Sequence, residues 1–163
     1  MRYDVDYLII GSGLAGLNAA LCLSQHGSVL VVTKRGIGES ATHFAQGGIA
    51  SVMSHQDSFE AHIADTLGAG AGLCHEDIVR QIVTRGPAAI ERLTAIGVQF
   101  DVAESGYDLT REGGHSARRV LHTQDLTGRE IARALQAAVL QAPRIKVLTE
   151  HIGVDLMTTQ RLG

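Results

Sequence analysis

The run Tyr7-Leu8-Ile9-Ile10-Gly11-Ser12-Gly13-Leu14-Ala15-Gly16-Leu17-Asn18-Ala19-Ala20 decides the fold. Leu8 to Ile10 are uninterrupted apolar residues, the pattern of a parallel strand buried on both faces. Glycines follow at the spacing GxGxxG, and beyond them the apolar residues resume at helical spacing. Strand, glycine turn and helix in that order open a dinucleotide-binding unit. Gly11 permits the sharp turn, Gly13 leaves no Cβ to hold a diphosphate off the backbone, and Gly16 lets the helix pack close to the strand. The amides at the helix start point outward, and the helix dipole favours negative charge there. Gly11, Ser12, Gly13, Leu14, Ala15 and Gly16 are therefore candidate cofactor-binding residues.

Glycine-rich turns also occur in loops that bind nothing, and here the flanking sequence supplies the context. A helix is expected from Leu14 to Gln25, ending at His26-Gly27, and Ser28 to Thr33 supplies a second apolar strand. Together they complete a βαβ unit of roughly the ~30 residues expected. One part of the fingerprint is missing: the second strand ends in Thr33-Lys34, not in the Asp or Glu that holds a ribose hydroxyl. An ordinary NAD dehydrogenase is disfavoured on that ground, as is a small NAD-binding module. The next segment, Arg35 to Ala50, reads RGIGESATHFAQGGIA and has no periodicity. Long irregular segments within compact domains are usually functional. Gln46-Gly47-Gly48 alone would be a plain turn, but after the second strand this backbone can close over a cofactor.

The chain has 163 residues, enough for one core and too few for a complete two-domain flavoenzyme. Its net charge of -3, from 14 basic and 17 acidic residues, gives no reason to propose nucleic acid or an anionic membrane as partner. Cys22 and Cys74 lie far apart without a CxxC, as incidental thiols of a reduced compartment do. The uncharged span Tyr7 to Ser24 is long enough to be tested as a membrane or signal segment. Asp4 and Asp6 spoil a positive leader, and the glycines with Asn18 divide the span into strand and helix. The cytoplasm is the default location. No HxxxH, CxxC or carboxylate spacing points to a metal site, and there is no nucleophile elbow.

Downstream, Phe59, Ile63 and Leu67 mark one face of a helix from Asp57, closed by Gly68 to Gly72. A second helix is expected from His75-Glu76-Asp77 to Gly86-Pro87, and a third from Ala88 to Ala95, ended by Gly97. Glu76, Asp77 and Arg80 read as solvated faces of these packing helices. Val98 to Val102 is a candidate strand. Tyr107 to Leu121 crowds Arg111, Glu112, His115, Arg118 and Arg119 around Gly113-Gly114; on composition alone this is as well a surface charge cluster as a site. From Asp125 a helix is expected with Thr127 as N-cap, Glu130 as its capping-box partner and Ile131, Leu135, Ala138 and Val139 as its apolar face. Pro143 ends it, and Ile145 to Leu148 forms a strand that returns to the nucleotide sheet.

GSGLAG, the terminal TK of the second strand and ESATHFAQGGIA together resemble the N-terminal flavin-binding region of the succinate dehydrogenase and fumarate reductase flavoprotein superfamily. Within it, DTLGAGAGLCHEDIV (Asp65 to Val79) and LTREGGHSARRVLH (Leu109 to His122) resemble the L-aspartate oxidase family. The resemblance spans nearly all of the chain with its motifs in order. It implies an α/β, two-dinucleotide-binding-type flavoprotein fold: a Rossmann-like FAD-binding βαβ unit with a helical insertion and a returning strand. The whole chain, 1–163, would be the N-terminal portion of that FAD-binding domain, without the capping and C-terminal helical domains or the catalytic arginine of longer members.

The resemblance further implies FAD held by Lys34, by Ala41, Thr42, His43, Phe44, Ala45, Gln46, Gly47 and Gly48, and at the adenine end by Ile152 and Gly153. Superfamily members with covalent flavin carry the linking histidine five residues before the Gln. That position is Ala41, with His43 out of register, so the implied attachment is non-covalent. His43 itself reads as a loop side chain packed beside the cofactor. The acid of the REGGH motif, here Glu112, would lie at the active site as the catalytic residue that reads the substrate's amino group. His115 either lines that site or satisfies backbone groups. The implied reaction is oxidation of L-aspartate to iminoaspartate, with oxygen or fumarate as acceptor and quinolinate synthase as candidate partner for the unstable imine. A fumarate reductase or succinate dehydrogenase relative, and a fragment that binds FAD without catalysis, are the competing readings.

Overall fold

The computed structural model describes residues 1–104, 106–123 and 126–158. In chain order the elements are β1 (Tyr7–Ile10), α1 (Leu14–Leu23), β2 (Val29–Val32), a 3-10 turn (Ala41–Phe44), β3 (Ile49–Ala50), α2 (Phe59–Ala69) and α3 (Glu76–Ile96). They continue with β4 (Val102–Ala103), β5 (Gly106–Tyr107), β6 (Leu109–Thr110), β7 (Val120–Leu121), α4 (Thr127–Gln141) and β8 (Ile145–Leu148). Two units result, one of Met1–His43 with Ala132–Gly163, the other of Phe44–Ile131.

The first unit is the expected βαβ core with its returning strand. β1, β2 and β8 form a parallel sheet in the order β1-β2-β8, with Tyr7 opposite Val29 and Val29 opposite Ile145. β2 is central, and its Val29, Leu30 and Val31 are buried. Burial on both faces fails for β1, where Leu8 is 52% and Ile10 59% exposed. The physical reason is the period-two alternation of a strand. Ile9 faces α1, at the point where Gly16 sits, whereas Leu8 and Ile10 project to the opposite face, which stays largely open.

α1 buries Leu17 and Ala20 completely; a fully buried leucine contributes about 1.5–3 kcal/mol. The helix stops at Leu23, short of the expected Gln25, because the chain must return through Gly27 to β2. Asp6 fastens that return. Its carboxylate accepts from both the amide and the hydroxyl of Ser28 at 2.7 Å, and these bonds hold its pKa below the ordinary carboxylate range.

In the second unit α2 and α3 pack around Ile63, Val79 and Val83, with Phe59, Leu67 and Cys74 alongside. α2 begins at Phe59, two residues later than expected: Ser58 is its N-cap, the hydroxyl accepting from the Ala61 amide at 3.1 Å. The two helices expected on either side of Gly86-Pro87 are a single helix, α3, with Pro87 inside it. Proline removes one helical hydrogen bond, but Val79, Val83, Gly86 and Ile90 lie on one continuous stripe. Gly86 packs so close to Ser51 that a Cβ there would stand 2.9 Å from its hydroxyl. Continuous burial of that stripe outweighs the break. Gly97, at φ 105°, then stops the helix, with Val98 donating back to Leu93.

The strand expected at Val98 to Val102 is also corrected. Only Val102 of that span pairs, opposite Tyr107 in the β4–β5 hairpin. A small antiparallel sheet in the order β3-β7-β6 has no counterpart among the sequence expectations. In α4, Thr127 stands inside the helix rather than before it, its hydroxyl accepting from the Thr123 amide at 3.2 Å. Asp125 lies outside the described residues. Ile131, Leu135 and Val139 are buried as expected, Ala138 is half-buried, and Ala132 and Ala134 join the buried face. Among the described residues, no helix is long and apolar enough to cross a membrane, and no cluster of His, Cys, Asp and Glu has the arrangement of a metal site.

Candidate functional site

A cleft of about 410 Å³ opens at the carboxyl ends of β1 and β2 in the first unit, where open α/β sheets place their ligands. Gly11, Ser12 and Gly13 form one wall, Thr33 and Lys34 follow from the end of β2, and Ala41, Ile152 and Gly153 contribute from the flanking loops. The geometry of the glycine turn matches the reasons for which its glycines stand out in the sequence. Gly11 has φ 110°, a conformation that disfavours any side chain. A Cβ on Gly16 would collide with the Gly11 carbonyl oxygen. Gly13 is extended and caps α1 through its backbone alone.

Leu14, Ala15 and Gly16 form the first turn of α1 behind this wall. The Leu14 amide donates to the Thr42 hydroxyl at 3.0 Å, so Thr42 from the irregular loop satisfies one of the donors that a helix start leaves open. His43 sits in the 3-10 turn, its amide donating to the Ser40 carbonyl. Phe44, Ala45, Gln46, Gly47 and Gly48 belong to the second unit and do not line this cleft. Phe44 is 74% exposed. Gly48 has a reason within its own unit, since a Cβ there would collide with the Leu121 carbonyl where β3 pairs with β7.

Four polar lining residues stand outside the sequence-based candidates. The buried hydroxyls of Ser12 and Thr33 bond each other at 3.0 Å, tying the glycine turn to the end of β2. Glu39 brings into the cleft a carboxylate that the end of β2 lacks, held beside Arg35 at 3.5 Å. Ser40 lines the cleft with a buried hydroxyl that has no hydrogen-bond partner among the described residues. His151 completes the rim, its amide donating to the Thr33 carbonyl. Glu39 and Ser40 lie within the quoted loop motif, but no spacing rule separates them from its other polar residues. A helix start and a Cβ-free turn at one space, with the partnerless Ser40 hydroxyl buried in its wall, suit a polar, anionic ligand.

The REGGH segment belongs to the second unit. Its turn is closed by the His115 amide donating to the Glu112 carbonyl at 3.3 Å, with Gly114 at φ 83°. Glu112 is exposed at this turn. Beneath it, Arg119 is fully buried and ion-paired, which composition could not distinguish from a surface cation. Its guanidinium donates in bidentate fashion to Asp57, both bonds 2.7 Å, and to Asp65 at 2.6 Å. Asp65 also accepts from the amide and the hydroxyl of Ser116, both at 2.7 Å.

Those Ser116 bonds, with Arg119 beyond them, lower the Asp65 pKa to about 2. For Asp57 burial pushes upward, but the hydrogen bonds from Arg119 and the Ser58 amide prevail and its pKa falls. His115 lies against this group, its Nδ1 3.4 Å from Arg119 and its ring edge-on to His62 at 5.7 Å. Burial first, and then the positive charge of Arg119, lowers the His62 pKa. The side-chain contacts of His115 are to Arg119 and His62, a third arrangement beside the two readings left open for it in the sequence.

The profile of the family described as FAD binding domain matches residues 6–162. Over 156 residues the chain is 51% identical to L-aspartate oxidase 2-b, chloroplastic, of Nicotiana tabacum, covering 95% of this chain and 24% of that protein. It is 48% identical over 166 residues to L-aspartate oxidase 1 of Ralstonia nicotianae, covering 100% of this chain and 31% of that one. A solved structure of E. coli quinol fumarate reductase superposes with a TM-score of 0.87 at 32% identity, covering 92% of this chain and 26% of that chain. The chain thus spans about a quarter to a third of the length of the curated relatives it matches.

Proposed function

Because this chain belongs to the FAD binding domain family, we propose that it is the FAD-binding N-terminal portion of an L-aspartate oxidase that holds its flavin non-covalently. The observation that carries the reading is the identity of about half of all residues to L-aspartate oxidases, over nearly the whole chain. The cleft in the first unit fits the cofactor. Gly13 and the first turn of α1 receive the diphosphate, Glu39 and Ser40 offer groups to ribose hydroxyls, and Ile152 and Gly153 border the adenine end. Lys34 adds a positive charge at the rim. Phe44, Ala45, Gln46, Gly47 and Gly48 are proposed for the flavin end on the strength of the motif alone. Ala41 offers no ring nitrogen for a covalent link, which supports non-covalent attachment.

When bound, FAD supplies the two-electron oxidant that takes the Cα hydrogen of L-aspartate. The amine gives up a proton as the C=N bond of iminoaspartate forms. Glu112 pairs with the substrate ammonium group and so fixes which face of Cα meets the cofactor; succinate, without an amine, has nothing to offer it. Losing one partner of a charge pair that is desolvated costs about 2–5 kcal/mol, a condition that the exposed Glu112 meets only once substrate covers it. Oxygen or fumarate serves as acceptor, quinolinate synthase is the partner for the imine, and the cytoplasm is the compartment proposed; cell fractionation tests the last.

The test is Glu112→Gln in the full-length oxidase carrying this segment. The KM for L-aspartate is expected to rise at least about 30-fold, the equivalent of ~2 kcal/mol, with fumarate reduction little changed. Equal losses for both substrates would remove Glu112 from the amino-group role. Failure of the full-length protein to bleach its flavin with L-aspartate in the absence of oxygen would overturn the oxidase assignment itself.

A further inference from the structure

We propose that Asp65 and Ser116 are positioning residues that fix where the Glu112 carboxylate sits, with Arg119 and Asp57 as their buried anchor. The inference rests on the reading that Glu112 pairs with the substrate amine, and it concerns residues outside the REGG turn.

The loop from Thr110 to Arg119 is tied at its base by the Arg119 amide, which donates to the Thr110 carbonyl at 3.1 Å. Its tip is tied by Ser116, whose amide and hydroxyl both reach the same Asp65 oxygen. Between the two ties, the Glu112–His115 turn closes on its own hydrogen bond. Gly113 and Gly114 place no side chain on that turn, and Gly114 is held at a positive φ that most residues avoid. The turn therefore derives its stiffness from its anchors.

The anchor is buried and multiply bonded. Arg119 has no exposed surface, Asp57 is 1% exposed on its side chain, and Asp65, at 18%, lies between them and the loop. A guanidinium fork fixed on one carboxylate by two parallel bonds has one orientation, and its remaining amino group then dictates where Asp65 stands. Asp65 in turn dictates where Ser116 stands, four residues along from Glu112. All of these groups lie within one unit. A buried charge group carries a desolvation penalty that hydrophobic packing does not; here it fixes the geometry of an exposed carboxylate, and that carboxylate must meet its substrate within a fraction of an ångström to act.

The experiment is a double-mutant cycle in the full-length oxidase between Ser116→Ala and Glu112→Gln, with Ser116→Thr as the conservative rescue. Ser116→Ala removes one of the two ties to Asp65 and a long 3.4 Å bond from Arg119 Nη2, and leaves the Arg119 bonds to Asp57 and Asp65 in place. It is expected to raise the KM for L-aspartate about three- to tenfold without a matching rise in the KM for fumarate, and Ser116→Thr is expected to restore it. In the Glu112→Gln background, Ser116→Ala should add nothing. Multiplying effects in the double variant, an equal rise for fumarate, or no effect of Ser116→Ala would overturn the positioning role while leaving the Glu112 assignment in place. If Glu112→Gln alone leaves the aspartate KM unchanged, the amino-group reading falls and the positioning role falls with it. Asp65→Asn, which keeps shape and removes charge, is the second variant: a folded protein with parental aspartate KM would count against the proposal independently.

Discussion

Asp57→Ala removes the bidentate partner of a guanidinium that has no access to water. In the folded chain Arg119 Nε and Nη2 each donate to Asp57 at 2.7 Å, and neither side chain is more than 1% exposed. Deleting one member of a buried pair usually costs about 3–5 kcal/mol, because the other charge is left desolvated. Arg119 would keep its short bond from Nη1 to Asp65 and two longer contacts at 3.4 Å, to His115 Nδ1 and the Ser116 hydroxyl, which places the expected loss near the lower end, ~3 kcal/mol. With a urea slope of about 2 kcal/mol per molar, the midpoint should fall by ~1.5 M. The chain contains no tryptophan, so far-UV circular dichroism is the suitable signal. The cause can be separated from a simple cavity by adding Arg119→Met. If an unpaired charge is the source of the loss, the double variant should be more stable than Asp57→Ala alone by at least about 1 kcal/mol. A midpoint shift below ~0.3 M, or a double variant less stable than the single, would refute the reasoning.

Acid should weaken the same unit in two stages. Burial lowers the His62 pKa from 6.5, so its neutral form belongs to the folded state; that contribution is complete above about pH 6.5 and is lost as pH falls toward the folded value. Asp65, lowered from 3.8 to about 2, contributes stability that is complete above its unfolded value and is lost as pH falls through 2. Urea midpoints between pH 8 and 3 should therefore decline first below 6.5 and again below 4, with His62→Gln removing the first stage; a flat profile from 8 to 5 would contradict it. Gly16→Ala forces a Cβ onto the Gly11 carbonyl, which should cost about 1–3 kcal/mol and abolish flavin retention in the full-length oxidase, read from its visible spectrum after gel filtration. Retention of stoichiometric flavin would mean that the turn does not set the diphosphate site.

The nucleotide unit was legible because its signals are local. GxGxxG between an apolar run and a helical repeat requires only the chain's own stereochemistry, and the turn at Gly11 and the close packing at Gly16 are as those residues demand. β8 was legible for the same reason: Pro143 and the short, mostly apolar run after it mark it, and it pairs with β2 over Ile145 to Leu148. The α3 helix was not. Gly86-Pro87 carries a local stop signal, and only the burial of Val79, Val83 and Ile90 on one stripe, with Gly86 against Ser51, overrides it. The short β3, β6 and β7 strands pair at long range and have too few residues to show a period.

The candidate site divides along the same line. Sequence by itself determined the glycine turn, the loop that follows β2 and the REGGH motif, because each is a contiguous run of residues whose chemistry survives without neighbours. It could not tell that Arg119 is a buried anchor and Arg118 a surface residue, since the two are adjacent and chemically identical. That distinction depends on Asp57 and Asp65, which lie 62 and 54 positions away in the chain and meet one guanidinium only when α2 and β7 are both in place. Burial and charge pairing are properties of the assembled unit, so tertiary structure alone decided them.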